Sequence, residues 1–141
     1  MALLPCPCAL HDDAEQALRG RCAAAAAAAR RYHYNVNTSR LLVHVQKGWE
    51  DGLYISCVAS SGNLWGIVMD AGTEFTQQIY KVHYACFLPR EWIIEKWEEG
   101  YYITAVAGSD NYSSLVVMSK GTKFTQQSYK VNFCGPLLTC L

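Results

Sequence analysis

The chain has 141 residues, with 12 Lys and Arg against 12 Asp and Glu, so its formal net charge is zero. Hydrophobic residues make up 51% and charged ones 17%, which excludes a wholly disordered protein. A neutral balance removes the long-range field that draws a chain to nucleic acid or an anionic membrane, and no apolar run approaches the roughly 18 residues of a spanning helix.

Residues 1–30 read as a low-complexity leader. Pro5 and Pro7 interrupt its start, and an alanine run from Ala23 to Ala29 offers helix propensity without an apolar stripe to dock. The expectation is a disordered segment or a marginal helix. Asp12, Asp13 and Glu15 argue against a signal or transit peptide. The seven cysteines are Cys6, Cys8, Cys22, Cys57, Cys86, Cys134 and Cys140. An odd count with no signal peptide points away from a disulfide framework and toward nucleus or cytoplasm, not secretion. Cys6-Pro-Cys8 with His11 falls short of a zinc ligand set, so neither metal nor cofactor is expected.

From residue 31 onward, short apolar runs alternate with turn residues. Thr38 or Ser39 can cap a helix in which Leu42, Val45 and Trp49 share a face. Leu53 to Ala59 alternates as a strand does, Ser60 to Asn63 reads as a turn, and Leu64 to Met69 is a second strand. Asp70 to Thr73 turns again, and Phe75 to Tyr84 is a third strand. Pro89 to Gly100 then reads as a short helix with proline at its start, glycine at its stop, and Trp92, Ile93 and Trp97 toward one side.

The pattern then recurs. Residues 47–59 align with 95–107 at an offset of 48, and Gly72 to Val82 aligns with Gly121 to Val131 at 49. The second block differs only at Glu74/Lys123 and Ile79/Ser128. The predicted fold is mainly β with short helices. It comprises two tandem helix-plus-three-stranded-meander repeats of 48–49 residues, part of a propeller-like or solenoid-like array. Repeat unit 1 spans 31–91, unit 2 spans 92–133, and 134–141 is an unrelated tail. Two units leave edges uncovered, so self-association through them is expected.

Arg31-Tyr-His-Tyr-Asn-Val36, Gly52-Leu-Tyr-Ile-Ser56, Met69-Asp-Ala-Gly-Thr73, Tyr101 to Gly108 and Ser114 to Thr122 together resemble one plant protein region. It is the C-terminal, non-catalytic part of the plant-specific casein kinase I-like kinases, usually described as a domain of unknown function. The resemblance covers residues 31–133, about 70% of the chain. It implies a nuclear setting, since the kinases concerned are nuclear serine/threonine kinases linked to histone phosphorylation and to light and growth signalling. No Gly-rich phosphate loop, strand lysine, H-R-D loop or D-F-G is present, so no kinase catalytic residue carries over. An Ala-rich leader stands where the kinase domain belongs, and the repeat breaks off after Val131, as in a fragment or truncated gene model.

Candidate functional positions each admit a structural reading. Trp49, Trp92 and Trp97, beside Gly52 and Gly100, suit packing between repeats better than an aromatic platform. Phe75, Gln77 and Gln78, matched by Phe124, Gln126 and Gln127, either line a binding rim or satisfy backbone groups of turns and strand edges. Tyr101 and Tyr112 are the aromatics available to a lectin-like surface. Glu50-Asp51 and Glu98-Glu99 sit apart at helix ends, and His44 and His83 lack a nucleophile partner. The expected function is a non-catalytic protein-interaction or substrate-positioning module with a protein partner, and no nucleic acid or membrane. A serine/threonine kinase role inherited by name and a glycan-binding β repeat stay open as alternatives.

Overall fold

The computed structural model describes residues 29–130 except Cys86. The leader up to Ala28, the tail 134–141 and every cysteine but Cys57 lie outside the described residues. Within them the order is β1 (Arg30–Val36), α1 (Thr38–Glu50), β2 (Tyr54–Ser61), β3 (Leu64–Asp70), β4 (Gln77–Tyr84), α2 (Arg90–Glu98), β5 (Tyr102–Gly108) and β6 (Ser113–Lys120).

Helix α1 starts one residue earlier than its sequence suggested. The Asn37 side chain, rather than Thr38 or Ser39, caps it by accepting from the Arg40 N–H at 2.9 Å. Thr38 instead accepts from the Trp65 indole at 3.0 Å. The buried face is accordingly Leu41, Val45 and Gly48, while Leu42 is exposed. Helix α2 follows Pro89, buries Ile93 and closes at Gly100, whose φ of 85° suits glycine alone. Gly52, with φ 75°, does the same after α1.

The strands form two three-stranded antiparallel sheets, ordered β1-β3-β2 and β4-β6-β5. This corrects the expected meander. β4, the predicted third strand of the first unit, crosses to the second sheet and pairs with β6 from Gln77↔Lys120 to Tyr84↔Ser113. Its predicted place beside β3 is filled by β1, a strand absent from the sequence prediction. Each sheet therefore receives a first strand, then a helix, then a hairpin whose last strand is central. β3 is central in the expected and the observed sheet alike; what changes is its second neighbour, β1 in place of β4.

The two sheets share one core. Leu115 and Val117 of β6 join a cluster with Leu41, Val45, Ile55, Val58, Ile67 and Met69 of the first sheet and α1. The alternate residues Val116 and Met118 join Ile93 and Tyr101 in a second cluster. Every residue from Ser113 to Ser119 is buried because both faces of β6 are covered. At the hairpin tips, Ser60 donates to the Gly108 carbonyl and Ser109 to the Gly62 carbonyl, tying the sheets together.

Candidate functional site

The residues that recur most closely in the sequence meet at the sheet edges. β2 is an edge strand, so its outward N–H and C=O groups have no ladder partner. At the irregularity between Ile55 and Cys57, the side chain of Gln78 takes that partner's role. Its Oε1 accepts from the Ile55 N–H at 2.7 Å, and its Nε2 donates to the Ile55 carbonyl at 2.9 Å. The same amide accepts from the Trp49 indole at 3.2 Å and donates to Ser119 Oγ at 3.0 Å. A primary amide has one acceptor and two donors, and here all are used. Gln78 reaches across from β4, so α1, β2 and the second sheet are pinned at one point.

Gln127 makes the corresponding contacts. It accepts from the Ile103 N–H at 2.7 Å, donates to the Ile103 carbonyl at 2.7 Å and accepts from the Trp97 indole at 3.2 Å. Gln77 accepts from the Tyr101 hydroxyl at 3.0 Å, while Gln126 is exposed. Phe75 meets the Tyr54 ring edge-on at 6.3 Å, and Phe124 meets Tyr102 at the same distance. The hydroxyls of Tyr54 and Tyr102 donate to the carbonyls of Thr76 and Thr125 at 3.1 and 3.2 Å.

Trp49, Trp92 and Trp97 are half-buried packing residues. Trp49 lies 6.1 Å from Tyr80, Trp97 lies 5.7 Å from Tyr129, and Lys81 sits over Trp92. Tyr101 is a correction to the sequence reading: it is buried, with its hydroxyl on Gln77 and Lys120 over its ring, so it offers no surface to a glycan. Tyr112 is exposed in a turn with φ 64°.

The acidic pairs do not converge on a cleft. Asp51 pairs with Arg31 at 2.7 Å, and Glu99 pairs with Lys96 at 2.6 Å. His83 is cross-strand from Ser114, and His44 stacks on His33 at 4.0 Å. Among the described residues no cluster of three His, Cys, Asp or Glu side chains could hold a metal, and no helix is long and apolar enough to cross a membrane. Ser119, which completes the Gln78 contacts, was missed from sequence. The signal available was the nearly constant separation of Trp and Gln, 29 residues for Trp49–Gln78 and 30 for Trp97–Gln127.

Two shifted groups tie β1 into place. Burial, followed by the charges of His44 and Arg31, holds His33 below its ordinary value of 6.5. Hydrogen bonds from Arg30 and Ser56 hold the Asp70 carboxyl below the usual carboxylate range. In both cases the unfolded chain binds protons that the folded chain excludes. Stability is thus present above the unfolded values and lost as pH falls through the folded ones, His33 first. Lowering pH from about 7.5 to about 5.5 is expected to reduce the urea midpoint, and His33→Phe to flatten that dependence. An unchanged slope in the variant would assign the effect to other groups.

A groove of about 450 Å³ lies at the far side of the second sheet, lined by Phe87, Leu88, Ile94, Trp97, Gln127 and Tyr129. Phe87 and Ile94 are exposed there. Comparison with known proteins gives two matches for this chain. A family model described as a domain of unknown function, DUF7477, matches residues 19–137. A casein kinase 1-like protein, HD16, from Oryza sativa subsp. japonica is 63% identical over 88 residues, which are 62% of this chain and 12% of that protein. The chain thus spans a small fraction of that relative's length, and no kinase domain is evident in it. No solved structure matches.

Proposed function

The chain belongs to the DUF7477 family, and from that premise we propose that it is a non-catalytic protein-interaction or substrate-positioning module. Its similarity to part of a plant casein kinase 1-like protein supports that reading. The observation that carries it is the open apolar groove beside Trp97, set on a scaffold whose recurring polar side chains bind its own backbone. Apolar surface held open by a rigid sheet edge serves recognition, whereas acid–base or nucleophilic work needs convergent groups.

In this reading the repeating unit is strand–helix–hairpin, with its boundary in the loop before β4. Two such units form part of a larger stacked array, which presents an extended surface to a protein partner in the nucleus or cytoplasm. The test is retention of nuclear proteins from plant extract by the immobilised chain. A defined set retained well above an unrelated β domain is expected, together with no phosphate transfer from labelled ATP to histones. Retention no better than the control sinks the module, and transfer that persists in contaminant-free protein would restore the kinase reading.

A further inference from the structure

The face that the second sheet buries against the first has a counterpart on the first sheet, and strand register matches the two residue by residue. Arg30↔Asp70 takes the place of Gln78↔Ser119, Tyr32↔Val68 that of Tyr80↔Val117, and Ala59↔Gly66 that of Ala107↔Leu115. On the second sheet, Leu115 and Val117 are fully buried in the first sheet's cluster, with Tyr80 and Ala107 packed beside them. On the first sheet, Tyr32 is exposed, and so is Cys57, the partner of Val68.

Two of the matched places differ in chemistry. Gln78 joins the sheets because its Oε1 accepts from the Ile55 N–H and the Trp49 indole. Arg30 stands there in the first sheet and turns to its own sheet, donating to both carboxylate oxygens of Asp70 at 2.5 and 3.2 Å. Ser56 adds a third bond to Asp70 at 2.6 Å. A guanidinium has donors alone, so a further unit stacked in the same way would bring a strand N–H and an indole N–H to a side chain that accepts nothing. It would also take out of water an ion pair whose arginine side chain is 70% exposed. Gly66 is the second difference. A Cβ there would meet only two carbonyl oxygens, at 3.9 and 4.0 Å, so the strand itself does not require glycine. Its effect is to remove the apolar side chain that Leu115 supplies in the second sheet.

We infer that the outer face of the first sheet is a cap: it closes the stacked array on that side and takes no further unit of this kind. Arg30, Asp70 and Gly66 are the residues that set this polarity. The inference deepens the module reading and rests on its stacked array, whose ends need a polar outer face. Rejection by donors that meet donors is a means of specificity in its own right. The other side keeps the joining chemistry, since Gln127 bonds Ile103 and Trp97 as Gln78 bonds Ile55 and Trp49. Stacking is therefore one-directional, on the side of Gln127.

The test rebuilds a receiving face in the full chain. Gln127→Ala frees the Ile103 groups and serves as the background, to which Arg30→Gln, Asp70→Ser and Gly66→Leu are added together. Sedimentation velocity is expected to show self-association at least about tenfold tighter in the rebuilt chain than in the background, as copies join head to tail. Val106→Lys, at the exposed counterpart of buried Val58, is expected to abolish that gain. Tyr32→Arg, which needs no rebuilt face, is expected to leave the sedimentation and thermal midpoint of the otherwise unchanged chain as they are. No gain in a rebuilt chain that circular dichroism shows to be folded would overturn the cap. So would a gain that survives Val106→Lys, or an oligomer of the unchanged chain that Tyr32→Arg dissociates. Extract proteins still retained in those cases would leave the module standing, and lost retention beside an inert outer face would sink the module alone.

Discussion

Gln78→Ala is expected to lower the unfolding free energy by about 3–5 kcal/mol, against about 1 kcal/mol for Gln127→Ala. The two glutamines bond the same backbone groups through the same atoms, so the difference comes from what surrounds them. Gln78 is 7% exposed and Ile55 is fully buried. Truncation there strands the Ile55 N–H and C=O away from water and removes the Trp49 indole's acceptor, while Ser119 Oγ keeps Thr104 Oγ1 at 2.8 Å. Each buried orphan costs about 1–3 kcal/mol, and solvent cannot enter to relieve it. Ile103 and Gln127 are half-buried, so water replaces the lost amide. Gln78→Met separates the two contributions, since it keeps most of the volume and removes the amide. Urea denaturation followed by tryptophan fluorescence reads all three variants. Near-equal losses for Gln78→Ala and Gln127→Ala would show that burial does not set the cost. A loss in Gln78→Met far below that in Gln78→Ala would show that packing does.

The same pair shows how far the sequence could be read. The repetition of Phe-Thr-Gln-Gln located both amides and offered two uses for them. Which use holds depends on edge strands, and strand neighbours are set by tertiary pairing, not by alternation along the chain. The pattern Gln77 to Tyr84 announces a strand but carries no mark of whether β3 or β6 is its partner. Hence the hairpins β2–β3 and β5–β6, joined by short turns, were legible, and the placement of β4 was not. β1 was missed for a related reason. Arg30 to Val36 is polar on much of its surface, and Tyr32 and Tyr34 are exposed, so no apolar face advertises it. It is held by main-chain pairing to β3, by Arg30 on Asp70 and by the His33–His44 stack. The face of α1 was off by one residue because a capping Asn37 competes with Thr38 and Ser39, and only packing decides between them.

Gly72 and Gly121 occupy the same place in the repeated Gly-Thr-x-Phe-Thr-Gln-Gln block, and alanine is expected to affect them unequally. Both have positive φ, 71° and 80°, so each substitution carries a left-handed backbone cost of about 1 kcal/mol. At Gly72 a Cβ meets nothing within 4 Å. At Gly121 it meets Thr76 N at 2.9 Å and, closer still, the Glu74 carbonyl. Those are backbone atoms, and they cannot swing aside as a side chain would. Thr76 donates to the Lys120 carbonyl at 3.0 Å, which opens the β4–β6 ladder directly before Gln77↔Lys120. Relieving the clash therefore shifts the loop that delivers Gln78 to Ile55. Gly121→Ala is expected to cost about 3–4 kcal/mol and Gly72→Ala about 1 kcal/mol. If the clash acts through the ladder, hydrogen exchange in Gly121→Ala should rise first at Thr76 and Ile55, while β1 keeps its protection. Uniform loss of protection would mean that the strain spreads through the core, and equal costs at the two glycines would mean that the loop gives way freely.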